Sequence, residues 1–203
     1  MARGIGAALT GTLVLRLATS LTGTMLIYYL VDLPKHGGSE VQPVELGLLG
    51  AAFYLAELLL APPLGALSDR LGHHRMLQWG PIFGLVAVVL TWATTNLLLL
   101  GGTRLLEGAS TAASVPSILG YIAAATASSA VARGRTVARF EAVTIVGLGA
   151  GVVVAGPLYE LVGRNAFLVN AALYVVALAI FRLGVPRALE EHHELPADHT
   201  GWT

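Results

Sequence analysis

Long apolar runs separated by short polar breaks constrain this chain more than any motif it carries. A helix needs about 20 apolar residues to cross the roughly 30 Å hydrocarbon core of a bilayer. Dividing the sequence at its polar breaks gives six such segments: 9–31, 45–68, 76–95, 97–124, 138–159 and 166–185. The first is too long for the apolar core of a signal peptide, and no clear small-residue cleavage site follows it, so it is read as a spanning helix. The expectation is an all-α membrane protein. Residues 1–8 would form a cytoplasmic N-terminus, 9–185 a transmembrane domain of six helices, and 186–203 a polar cytoplasmic tail.

Composition agrees. Charged residues make up 12% of the chain, against about 25% in a soluble domain, and a deficit of that size cannot clothe a water-facing surface. Net charge is zero and the basic residues are scattered, which argues against a nucleic-acid partner. The sequence contains no cysteine, so disulfides, thiolate metal sites and cysteine nucleophiles are excluded.

The positions of Lys and Arg set the orientation, because loops on the cytoplasmic side carry the excess. With the N-terminus inside, Arg3, Arg70, Arg75, Arg133, Arg135, Arg139, Arg182 and Arg187 fall on or near the cytoplasmic side, and Lys35 and Arg164 on the other. Both termini are therefore expected to be cytoplasmic, in the plasma (inner) membrane, which requires an even number of spans. The chain's 24 glycines suit membrane helices whose backbones approach closely. Gly80 with Gly84 and Gly147 with Gly151 have the small-xxx-small spacing of such contacts, while Pro116 and Pro157 remove helix hydrogen bonds and permit bends.

Ionisable groups inside the apolar segments are the first candidates for function, since each costs about 2.5–3.5 kcal/mol at mid-membrane on insertion scales. Arg16, Glu57, Arg104 and Glu107 qualify. Arg104 and Glu107 are three residues apart and can meet on one helix. These groups either carry a coupling proton and contact an anionic solute, or pair with one another and hold helices in register; the sequence leaves both open. In the tail, His192, His193 and His199 have no spacing that fixes a metal geometry, and no metal site is assigned. No serine elbow, phosphate-binding glycine loop or metal-protease helix motif is present, so the chain is not expected to be an enzyme, and no cofactor is expected.

The second and third segments are joined by Gly65-Ala66-Leu67-Ser68-Asp69-Arg70-Leu71-Gly72-His73-His74-Arg75. Gly65 allows close helix contact, Asp69 can cap a helix or pair with an arginine, and Gly72 supplies a turn that other residues resist. A charged turn between two membrane helices has a purely structural explanation too. The stretch nonetheless resembles the G-x-L-a-D-r-x-G-r-k signature of the major facilitator superfamily, with His73-His74 where the basic pair stands and Arg75 one place later. Leu100, Arg104, Glu107 and Gly108 resemble that family's l-x-x-x-R-x-x-q-G pattern, with Glu for Gln. Gly147, Gly151, Gly156 and Pro157 partly resemble its Gly-rich pattern ending in Gly-Pro, although Val152 and Glu160-Leu161 replace expected glycines, and antiport is not inferred from it.

The resemblance covers roughly residues 9 to 185 and implies the N-terminal six-helix half of such a transporter, built as two inverted three-helix repeats. Arg16 and Arg104 would each lie about seven residues into the first helix of a repeat. The resemblance further implies a solute site between two halves and a cytoplasmic latch of Asp69, Arg70 and Arg75. The function expected is transport of a small solute by alternating access, as a half-transporter that needs a second six-helix half from another copy, a partner chain or a further stretch of sequence. Proton coupling through Glu57 or Glu107 is part of that expectation. The rival is a non-transporting membrane subunit that uses the same scaffold to pack in a larger complex.

Overall fold

A computed structural model describes residues 2–186, and helices dominate throughout: α1 (Ala2–Asp32), α2 (Pro43–Leu71), α3 (His73–Ala93), α4 (Leu97–Ala125), α5 (Ala130–Val162) and α6 (Ala166–Gly184). Short 3-10 turns at Leu33–His36 and Gly163–Asn165 close the first and fifth connections. No strand occurs among the described residues. The His192, His193 and His199 tail and Arg187 lie outside them.

Local chemistry sets the helix starts. The Glu45 carboxylate accepts the Gln42 N–H at 2.7 Å in front of α2, where Pro43 fills the first position. Asn96 Oδ1 accepts the N–H groups of Leu98 and Leu99 at 2.9 and 3.2 Å, and Ser129 Oγ accepts that of Ala132 at 3.2 Å. Gly72, at φ 91°, is the whole connection between α2 and α3, a conformation that a side chain would strain.

Two boundaries differ from expectation. Residues 2–8 are the first turns of α1 instead of a separate N-terminal segment. The basic stretch expected to link the fourth and fifth segments is largely helical, since α5 begins at Ala130 and not at residue 138. At 1.5 Å per residue, a helix of 33 residues is about 50 Å long. That exceeds the roughly 30 Å of a hydrocarbon core, and Arg133, Arg135 and Arg139 occupy its first three turns. Counted from the helix starts, Arg16 stands fourteen residues past Ala2 and Arg104 seven past Leu97, so the shared offset of about seven holds for Arg104 alone.

Among the described residues, the helical stretches long and apolar enough to cross a membrane are 3–36, 43–71, 73–93 and 130–184, the last holding both α5 and α6. α4 is not among them. Arg104, Glu107 and the small or hydroxyl residues from Gly108 to Ser114 lower its apolarity, and Glu107 to Ser114 are all buried. Its polar middle is surrounded by protein.

Packing follows a simple plan. α1 lies chiefly on α5 and α6, α4 chiefly on α2 and α3, and α3 meets α6. Exchanging the first three helices for the last three, in order, leaves that set of pairs unchanged. Glycines set the crossings. Gly147 and Gly151 of α5 lie against α1, where a methyl at Gly147 would stand 2.8 Å from the Leu13 carbonyl and 2.9 Å from Arg16 Cβ. Gly108 of α4 lies on the Phe53 carbonyl of α2, and Gly84 of α3 lies on the Tyr174 ring of α6. The large buried side chains Leu21, Met25, Tyr29, Phe167, Tyr174 and Phe181 fill the α1–α6 contact. α2 and α5 pack chiefly on one neighbour each, so Leu55, Leu58, Leu59, Ile145, Val153 and Leu161 remain exposed. Faces of that kind suit lipid or a partner.

Candidate functional site

α1 and α2 are joined in sequence but barely touch, and a cleft of about 400 Å³ runs between them. Ser20, Gly23 and Ile27 line it from α1, Leu46, Gly50 and Phe53 from α2, with Leu148 of α5 at one flank and Arg104 of α4 at its floor. The lining is mostly aliphatic and aromatic.

The Arg104 guanidinium pairs with Glu107 through Nη1 and Oε2, as the spacing on one helix anticipated. Arg104 is 7% exposed and Glu107 1%, so the pair is enclosed and depends on its supporting contacts. These come from the other helices around α4. The Phe53 ring of α2 lies 4.8 Å from the guanidinium carbon, and the Tyr174 hydroxyl of α6 donates to Glu107 Oε1 at 3.5 Å. Asn170, one turn earlier on α6, donates to the Ala18 carbonyl at 2.9 Å and to Thr22 Oγ1 at 2.8 Å, fixing α1 beside them. Thr91 Oγ1 donates to Thr103 Oγ1 at 2.9 Å, and Ser110 Oγ to the Gly80 carbonyl at 2.6 Å, which ties α4 to α3.

The other embedded couple is arranged differently. Arg16 and Glu57 are half-buried, one turn beyond Ser20 and Phe53 on the two sides of the cleft. They attract one another, and Glu141 of α5 also draws Arg16, but among the described residues neither makes an ion pair within 4.0 Å. The expectation that the charged groups pair is met by Arg104 with Glu107 and not by Arg16 with Glu57.

Across the Gly72 connection, Ser68 Oγ of α2 and His73 Nδ1 of α3 are 2.9 Å apart, and the His73 ring lies against Gly120 of α4. Asp69, Arg70, Gly72 and Arg133 border a second cleft of about 700 Å³ there. Asp69 is in the last turn of α2, so it caps no helix N-terminus, and among the described residues Asp69, Arg70 and Arg75 form no ion pair. Gly65 approaches Pro116, with 3.4 Å between a methyl there and Pro116 Cβ. Gly156 faces the Tyr28 hydroxyl, and Pro157 is carried inside an unbroken α5.

Sequence reasoning missed Tyr174, Asn170 and Glu141. Asn170 is an amide deep inside an apolar segment, a signal like the one that singled out Glu57, and Glu141 is an acid inside 138–159. It also missed Arg164, used only to orient the chain. At the far end of the bundle its Nε donates to the Trp92 carbonyl at 2.5 Å, and its guanidinium carbon stands 5.8 Å from the Tyr29 ring. No cluster of three or more metal-ligating side chains occurs among the described residues.

An apolar helical bundle that buries an arginine–glutamate pair beside a cleft is the design of a polytopic membrane protein. The Major Facilitator Superfamily model matches residues 8–203, and the chain belongs to that family as an integral membrane protein. It is similar to the MFS-type transporter ppzB of Metarhizium rileyi, 31% identical over 81% of this chain and 33% of that protein. It is also similar to Multidrug resistance protein 2 of Bacillus subtilis, 28% identical over 76% of this chain and 38% of that protein. The uncharacterized MFS-type transporter EfpA of Mycobacterium tuberculosis is 31% identical over 66% of this chain and 25% of its own length. The chain thus spans between a quarter and two fifths of the length of these relatives.

Proposed function

We propose that this chain is one half of a solute transporter that works by alternating access, with all six helices spanning the plasma (inner) membrane as two inverted three-helix repeats and both termini cytoplasmic. The cleft between α1 and α2, with a buried Arg104–Glu107 pair at its floor, carries the reading. A chain stabilised for packing alone has no use for ionisable groups beside a cleft, given their cost in a membrane interior. The exchange of helix pairs between the two triplets supports the repeats, because three spans reverse direction and the second triplet then enters from the opposite side.

The opposing wall comes from a second six-helix half: another copy, a partner chain or further residues of a longer protein. Exposed apolar residues of α2 and α5 provide the surface for it. Asp69, Arg70 and Arg75, with no ion pair among the described residues, act as a cytoplasmic latch against that half. Glu57 takes part in proton coupling, since it stands one turn beyond the cleft-lining Phe53 on α2 and its attraction to Arg16 stops short of a closed pair.

Proteoliposomes loaded with a pH-sensitive dye and challenged with organic anions, organic cations and neutral solutes test the reading. At least one class should drive a proton flux absent from protein-free vesicles, and Glu57→Gln should insert normally while impairing that flux or its pH dependence. No flux with any class, together with copurification of fixed partners, would establish the accessory-subunit alternative instead.

A further inference from the structure

On the reading of the cleft as a solute pathway, we propose that its ligand is an amphipathic organic monoanion that binds Arg104 in competition with Glu107. Among the residues lining the cleft, Arg104 is the one that carries a charge, and no carboxylate lines it. Leu26, Leu46, Leu49 and Phe53 give it apolar walls, and about 400 Å³ is within the range that holds a drug-sized molecule. A ligand matched to this lining has an apolar body and one anionic group.

The orientation of Arg104 points the same way. Its Nη1 is taken by Glu107, but its Nη2 is directed toward Gly23 of α1, 3.9 Å from where a methyl on that glycine would stand. A guanidinium presents its N–H groups as a fork that suits a carboxylate with two parallel bonds. A cationic ligand is disfavoured twice: it meets Arg104 first, and Glu107, 1% exposed, lies behind that residue. The Phe53 ring, the nearest aromatic face, is already occupied by the Arg104 guanidinium.

Competition has a consequence for the proton. When an anion takes Arg104, Glu107 stays buried without its cation, a state that costs several kcal/mol and is relieved by protonation. The groups acting on Glu107 are Arg104 on its own helix and Tyr174 from α6, with the Thr22 hydroxyl from α1; α2 and α3 add no titratable group. A proton given up by hydronium or a buffer acid in the solvent therefore binds Oε2, one bond to hydrogen breaks as one O–H bond forms, and the charges of ligand and proton cancel. The hydroxyl of Tyr174 donates to Oε1 and remains compatible with both forms.

The test uses the full chain in mild detergent, with 1-naphthoate and tetraphenylphosphonium as probes. Naphthoate should bind in preference, with uptake of about one proton per ligand read by an indicator dye in weak buffer. Glu107→Gln removes the competitor, so naphthoate should bind severalfold more tightly and without proton uptake. Arg104→Gln/Glu107→Gln keeps the pair neutral, avoiding a lone buried charge, and should weaken naphthoate binding by about tenfold or more. Preference for tetraphenylphosphonium, no naphthoate binding, unchanged binding in the double variant, or proton uptake that survives Glu107→Gln overturns the inference. These readouts need no flux. Naphthoate binding with proton uptake but no transport retires only the transporter reading, and solute flux with a preference for the cation retires only this one.

Discussion

Two arginine–glutamate couples lie in the same bundle and solve the same problem in opposite ways. Arg104 and Glu107 are three residues apart on α4, closed on one another and buried by α1, α2, α3 and α6. Arg16 and Glu57 come from α1 and α2, which hardly touch, and they stand half-buried and unclosed one turn beyond the residues that line the cleft. Until a ligand competes for Arg104, the closed pair excludes water and depends on every partner staying in place. An open pair can exchange a proton without breaking a contact. The contrast separates a pair that must be opened to act from one that the fold leaves open.

The sharpest way to break this comparison is to halve the closed pair. Arg104→Met leaves Glu107 buried without its cation, and removing one partner of a buried pair costs about 3–5 kcal/mol. Thermal unfolding in detergent should show that loss, with little monodisperse protein recovered. Arg104→Met/Glu107→Met replaces the pair by apolar groups of similar length and should return most of the stability, because well-packed apolar substitutes for buried pairs are often neutral. A single variant as stable as the parent would mean that water reaches Glu107, and the distinction between the couples would be lost.

Gly108 offers the next test, since it lies beside Glu107 on one helix and against the backbone of Glu57 on the other. A methyl there would meet the Phe53 carbonyl and stand 2.8 Å from Ala56 Cβ and 3.1 Å from the Glu57 nitrogen. Gly108→Ala should push α2 from α4 and cost about 1–3 kcal/mol by overpacking. Gly149→Ala is the contrast: a methyl at Gly149 has nothing within 4 Å, so its melting temperature should hold or rise slightly through helix propensity. Equal melting temperatures for the two variants would refute the close approach at Gly108.

What the sequence revealed of these features follows from how local each one is. The Arg104–Glu107 pair was legible because three residues on a helix place two side chains on one face. The open couple was legible only as two embedded charges, since its separation depends on how α1 and α2 pack on other helices. Gly147 and Gly151 announced a close approach without naming Leu13, Leu17 and Ser20 of α1 as what they approach. The early starts of α1 and α5 were hidden by the span rule itself. That rule marks where the hydrocarbon ends, whereas a helix continues into water as long as its hydrogen bonds do, until a residue such as Ser129 caps it. Arg164 was visible only as a charge, because a three-residue turn says nothing about the Trp92 carbonyl it will meet.

The smallest effect is the most discriminating. A double-mutant cycle on Arg16→Gln and Glu57→Gln isolates their coupling from whatever else each residue does. With both only partly buried, no ion pair within 4.0 Å for either among the described residues, and Arg16 shared with Glu141, the coupling should fall within about 0.2–1 kcal/mol, the range of solvated pairs. Added salt should reduce it further, since screening reaches charges that water reaches. A coupling of several kcal/mol, insensitive to salt, would show that Arg16 and Glu57 close on one another in the folded protein. The cleft would then be sealed at that level by a second structural pair, and Glu57 would lose its standing as the group left free to exchange a proton.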